Sequence, residues 1–133
     1  MRRDLTKEIT WLKRDKYGRE EVQLRGVQKL DFENDLERLR QGEPIDYVIG
    51  WKDFLGCRID LSYRSLIPRE ETELWVGEVI REIKDLEVKP PSGSKLQLGG
   101  FTSKCTCLDL FAGSGCIGLA ILKHCPNVEV TFA

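Results

Sequence analysis

Between Asp4 and Lys16 the apolar positions Leu5, Ile9 and Leu12 recur at helical spacing, with Trp11 on the adjacent flank and Gly18 as a stop, so the pattern predicts a first helix. A polar stretch follows. Within "LDFENDLERLRQG", Phe32, Leu36 and Leu39 stand at i, i+4 and i+7, and Gly42 and Pro44 close this second helix because proline cannot readily continue one. The period then changes in "DYVIGWKDFLGCRIDLSY". Gly50 and Gly56 punctuate two short runs, and Cys57, Ile59 and Leu61 alternate with Arg58 and Asp60, the pattern of a hairpin with one buried face.

Helical spacing returns in "LIPREETELWVGEVIREIKDL", where Trp75, Val79, Ile83 and Leu86 form a stripe. Pro68 at its start and Glu70, Glu71 and Glu73 in its first turn, at the positive end of the helix dipole, mark an N-terminus. "KPPSGSKLQLGGFTSK", with two prolines and three glycines, reads as a loop or linker. Last come a strand candidate, "CTCLDL", a glycine turn, a helix to about His124, and a second strand in "NVEVTFA". Together they predict one β-α-β unit of an α/β fold, with the chain stopping at its edge.

Composition narrows the function classes. The chain has 133 residues, 41% hydrophobic and 32% charged, enough for one modest core or a small domain joined to part of a larger one. Its 21 Lys and Arg balance 22 Asp and Glu, which gives no electrostatic footprint for bulk nucleic-acid or membrane binding. No apolar run approaches the roughly 20 residues of a transmembrane helix, and "MRRDLTKEITWLK" lacks the apolar core of a secretory signal, so the expected address is cytoplasmic. The five cysteines, Cys57, Cys105, Cys107, Cys116 and Cys125, include no C-x-x-C pair and predict neither a disulfide framework nor a metal site. Cys105 and Cys107 are expected to pack on one face of their strand. The lone His124 lies near a helix C-terminus, where the dipole favours positive charge.

The candidate chemistry lies in "DLFAGSGCIG". Gly113, Gly115 and Gly118 spell G-x-G-x-x-G, and backbone amides at such a turn accept the polar tails of several nucleotides. Asp109 discriminates among them. A carboxylate at the strand end would repel the pyrophosphate of NAD but can pair, directly or through water, with the ammonium of a methionine moiety. The turn therefore favours S-adenosylmethionine, and the alternative is that Asp109 only caps the turn while the glycines let helix pack on strand.

Three blocks, "GEPIDYVIGWKDFLG", "LIPREETE" and "LDLFAGSGCIGLAI", occur in the order and spacing of the HemK family of protein-(glutamine-N(5)) methyltransferases, and the chain resembles that family from about Gly42 to Ala133. The resemblance implies an incomplete class I, Rossmann-like, S-adenosylmethionine-dependent methyltransferase domain. It places a short helical N-terminal domain for release-factor recognition at residues 1–44, and the hairpin and first part of the methyltransferase domain at residues 45–133. It implies S-adenosyl-L-methionine as cofactor, a peptide chain release factor as protein substrate, and a monomer. Phe111, Ala112, Gly113, Ser114 and Gly115, with Asp109, would line the methionine end of the cofactor. Pro68, Arg69, Thr72 and Glu73 match "IPRxxTE", which lies beside cofactor and target glutamine in the family.

Phe111 stands at the first glycine position of the family's D-x-G-x-G-x-G, and Glu70 where proline is common. A ribose-binding acid, expected about 20 residues after the turn, falls just beyond Ala133. The family's Asn-Pro-Pro-Tyr motif, which holds the glutamine amide, is absent from these residues, so their catalytic group is unknown and the 133 residues alone are expected to be inactive. The implied reaction is in-line transfer of a sulfonium methyl to an amide nitrogen. That nitrogen is a poor nucleophile, so the site must orient it and exclude water more than supply an acid or base. Alternatives are an amino-group methyltransferase of an RNA or DNA base and a non-catalytic partner-binding module. An NAD-dependent oxidoreductase is disfavoured by Asp109 and "LIPREETE".

Overall fold

Two paired strands joined by a helix, and a second pair joined by a tight turn, organise a mixed α/β chain. A computed structural model describes residues 4–18, 27–88 and 105–133. The chain divides into two compact units, residues 1–52 with 60–64 and residues 53–59 with 65–133. It crosses from one to the other within the hairpin.

In the first unit, α1 (Thr6–Tyr17) and α2 (Val27–Arg40) follow the two helical repeats. Leu12 and Leu39 are buried together with Val48, and Leu5, Tyr17, Phe32, Leu36, Ile45 and Ile49 pack around them. Trp11, on the flank, is exposed. Helix α2 ends on paired hydrogen bonds from the Gly42 amide to the Leu39 carbonyl and from the Glu43 amide to the Arg38 carbonyl, which satisfy carbonyls the helix leaves open.

One expectation is corrected here. Residues 46–49, the start of the stretch read above as a hairpin, instead belong to a short helix, α3 (Ile45–Ile49). The apolar Ile45, Val48 and Ile49 that alternation could not place are three and four residues apart, and a helical turn delivers all three to the cluster of Leu12 and Leu39. The hairpin is therefore β1 (Trp51–Phe54) and β2 (Cys57–Asp60) around the turn Leu55–Gly56. Both turn residues have positive φ, 49° and 75°, the geometry that matches the twist of two-residue hairpins.

In the second unit, α4 (Glu70–Val88) starts two residues after Pro68 with three glutamates in its first turn. Its buried positions are Val76, Ile80 and Ile83, and Trp75 is 59% exposed. Ile83 is buried as predicted, but the stripe enters one residue later than expected: spacings of four and three carry it through Val76 and Ile80, leaving Val79 half-buried and turning Trp75 outward. Leu86 and "KPPSGSKLQLGGFTSK" lie outside the residues whose side chains are described.

The predicted β-α-β is observed as β3 (Thr106–Asp109), α5 (Cys116–His124) and β4 (Glu129–Phe132). The strands are parallel, with Cys107 opposite Val130 and Asp109 opposite Phe132. Buried Gly118, Ala120 and Ile121 line α5, which packs on both strands and on α4. Along β3, Asp109 is buried and Cys107 half-buried, whereas Thr106 and Leu108 are exposed. Cys105 is exposed rather than packed, because it precedes the paired stretch and contributes only its carbonyl, to the Glu129 amide.

Candidate functional site

The glycine turn is drawn tight by bonds that the sequence does not display. The Ala112 amide donates to the Ala133 carbonyl at 3.2 Å, and the Gly115 amide to the Ala112 carbonyl at 2.8 Å. Between them, the Gly113 and Ser114 amides have no protein acceptor among the described residues. Three residues of the turn are left-handed, Phe111 at φ 59°, Gly113 at 58° and Gly115 at 72°. A Cβ on Gly113 would meet only the Phe111 carbonyl, at 3.8 Å, so space is open there and backbone conformation is what calls for glycine.

Gly118 has a different reason. A Cβ there would stand 2.4 Å from Cε1 of Phe132 and 3.0 Å from Cγ1 of Val130, so the helix meets β4 with no room for a side chain. Phe132 also lies over Gly115, 3.5 Å from where its Cβ would be. The third glycine of the fingerprint thus serves close helix-on-strand packing.

Asp109 is 7% exposed, and its Oδ2 accepts a hydrogen bond from the Gly118 amide at 3.0 Å. One carboxylate oxygen therefore satisfies a free donor of the first turn of α5. Burial, reinforced by the negative charge of Asp109, pushes the Cys107 thiol up from its ordinary value. Phe111 is 94% exposed.

The other matched block sits at the opposite end of α5. Pro68 is buried, Arg69 exposed, and Thr72 half-buried. Glu73 reaches the hairpin turn: its Oε1 accepts from the Leu55 amide at 2.8 Å. The Leu55 carbonyl is bonded in turn to Nε2 of His124 at 2.8 Å, and Nζ of Lys123 donates to the Gly56 carbonyl. Lys123 and His124 end the nine-residue α5, so a helix of about 13 Å separates this cluster from the glycine turn. The structure assembles Asp109 with the turn and Glu73 with the hairpin, and records no direct bond between the two groups.

Sequence reading also missed a charged cluster in the first unit. Asp35, 4% exposed, accepts from the Tyr17 hydroxyl at 2.7 Å and pairs with Lys16 at 2.7 Å and Arg38 at 3.3 Å. Burial and the bond to Asp35 push the Tyr17 phenol well up. Arg38 also binds Glu43 through two nitrogens, at 2.8 and 3.0 Å, and Arg64 reaches the same carboxylate at 2.8 Å while lying over the Tyr47 ring. The i,i+3 spacing of Asp35 and Arg38 on α2 was a signal available in advance. Among the described residues no helix is long and apolar enough to cross a membrane.

No family model matches the chain. It is 39% identical over 90 residues to a protein of Chlamydia trachomatis named "Release factor glutamine methyltransferase", a match covering 68% of this chain and 26% of that protein. It is 34% identical over 111 residues to the protein of that name from Salmonella typhimurium, covering 84% of this chain and 34% of the relative. The one from Flavobacterium psychrophilum is 32% identical over 110 residues, covering 83% and 34%. The chain thus spans about a third or less of the curated relatives it matches.

Proposed function

Because the chain belongs to the family of release factor glutamine methyltransferases, we propose that the gene product transfers a methyl group from S-adenosyl-L-methionine to the side-chain amide nitrogen of a glutamine in a peptide chain release factor. The observation that carries this reading is the glycine turn between β3 and α5, with two amides lacking protein acceptors among the described residues and the buried Asp109 carboxylate at the end of β3 bonded to the first turn of α5. It belongs to a class I methyltransferase domain of which residues 45–133 supply the hairpin and the donor turn. The helical region, residues 1–44, serves release-factor recognition. A cytoplasmic monomer is the setting this implies.

The residues present fit the methyl donor. The Gly113 and Ser114 amides can hold a carboxylate, and Asp109 retains Oδ1 for an ammonium, directly or through water. Bound there, S-adenosylmethionine would supply an electrophilic sulfonium methyl. The work of the protein is alignment: it holds the amide nitrogen on the line of the breaking bond and keeps water out. Residues 1–133 contain no Asn-Pro-Pro-Tyr to grip the glutamine amide, and by themselves they are expected to transfer nothing.

The test incubates the gene product at its natural length with methyl-labelled S-adenosylmethionine and, separately, a purified release factor, tRNA and duplex DNA. Label on a release-factor glutamine, located by mass spectrometry, supports the reading. Label on nucleic acid alone would replace it with a base methyltransferase.

A further inference from the structure

The Leu55–Gly56 turn is gripped on both sides. The Glu73 carboxylate, one turn into α4, takes the Leu55 amide. His124 and Lys123, the last residues of α5, bond the Leu55 and Gly56 carbonyls. The turn is also strapped internally, since the Gly56 amide donates to Oδ1 of Asp53 at 3.1 Å. Leu55 is left-handed at φ 49°, an unfavourable conformation for a branched side chain, and such residues persist where their surroundings over-determine them. Its Cδ2 lies 4.0 Å from where a Cβ on Gly77 would be, so its side chain rests on the next turns of α4.

These contacts form a continuous path. The first turn of α4 is tied through Glu73 to the turn, the turn to the C-terminus of α5, and α5 through the Gly118 amide to Asp109 below the glycine turn. We propose that the Leu55–Gly56 turn is a bracket that ties the "LIPREETE" segment to the C-terminal end of α5, and so holds it at a set distance from the donor turn at the other end of that helix, and that Glu73 is a positioning residue acting through it rather than a group touching donor or glutamine. This rests on the methyl-transfer reading above. What Glu73 contributes is an acceptor of the right reach, and its charge is incidental.

Three variants of the gene product at its natural length separate acceptor reach from charge. Glu73→Ala removes the acceptor, Glu73→Gln keeps length without charge, and Glu73→Asp keeps charge but falls one carbon short. Methyl transfer to the release factor is measured as kcat and KM, with amide hydrogen exchange at Leu55 read alongside. The expected result is that Glu73→Ala and Glu73→Asp expose the Leu55 amide and lower kcat by about 10- to 100-fold, since a small misplacement transmitted from a change far from the chemistry costs rates of that order. Glu73→Gln restores both protection and most of the rate. Glu73→Asp outperforming Glu73→Gln, or a lost rate with Leu55 still protected, would overturn the bracket, and that pair decides the matter even where Glu73→Ala does not fold. A parent protein that methylates no release factor refutes the proposed function instead, and exchange at Leu55 then still shows whether Glu73 holds the turn.

Discussion

The Asp109 carboxylate accepts its hydrogen bond from the Gly118 amide, nine residues on, and so stitches the end of β3 to the first turn of α5. The structural and the functional readings of Asp109 are compatible, because the bond uses one oxygen of two. Asp109→Ala should cost about 1–3 kcal/mol by leaving a buried amide unpaired, whereas Asp109→Asn, with an acceptor of the same reach, should cost less. Asp109→Asn should nevertheless weaken S-adenosylmethionine binding measured by calorimetry. It should also bring the Cys107 thiol back toward its ordinary value, read as faster alkylation at mildly alkaline pH.

Gly118→Ala should destabilise the second unit by about 1–3 kcal/mol, because the new methyl meets the Phe132 ring at a distance no packed pair adopts. Adding Phe132→Leu should recover part of the loss. Chemical denaturation of the two single variants and the double variant gives the coupling, and additive losses would show that Phe132 is not the obstacle.

Phe111→Gly should stabilise the chain. Phe111 holds φ 59° with 94% of its surface exposed, so it bears left-handed strain with little burial to offset it. Relief of about 1 kcal/mol is expected, reduced by the entropy of the added glycine, and a rise in Tm is the measurement.

Glu43 makes the first unit sensitive to acid. The bidentate Arg38 bond, with Arg64 adding to it against the opposing effect of burial, holds its carboxyl at about 2, below the ordinary 4.5. A lowered folded-state value means that the pairing stabilises fully above pH 4.5 and that this contribution is lost as pH falls from 4.5 toward 2. Melting followed by circular dichroism should show a smaller decline over that interval for Glu43→Gln than for the parent.

Arg69→Ala should lower methyl transfer far more than stability. Arg69 is exposed and supplies α4 only its carbonyl, to the Glu73 amide at 3.1 Å, which alanine keeps. A loss of about 0.5 kcal/mol or less is expected for such a surface change. Tm and turnover measured on the same protein separate the two effects, and a fall in Tm with unchanged turnover would remove Arg69 from the site.

Local rules were enough wherever one short segment decides its own structure. Helices α1 and α2, the acidic start of α4 and the β3-α5-β4 succession all follow from period, proline, glycine and dipole. The parallel pairing of β3 and β4 followed too, because a strand, helix and strand in succession ordinarily pair that way. The glycine turn was legible as a motif, although its three glycines hold their places for two unlike reasons. Gly113 and Gly115 are left-handed, while Gly118 yields to a phenylalanine fourteen residues away.

Tertiary structure decided what depends on partners distant in sequence. Residues 45–49 are helical because Leu12 and Leu39 offer a core to one face of a turn, and no window around Ile45 contains that information. Trp75 faces out because Val76 and Ile80 face in, a choice between stripes one residue apart that periodicity leaves nearly even. Glu73 is spent on the Leu55 amide, 18 residues back, and His124 on the Leu55 carbonyl, 69 residues back. The sequence alone determined which residues form elements and which motif they resemble. The fold determined which polar groups are already satisfied, because a hydrogen bond is a matter of distance in space and the chain records only distance along itself.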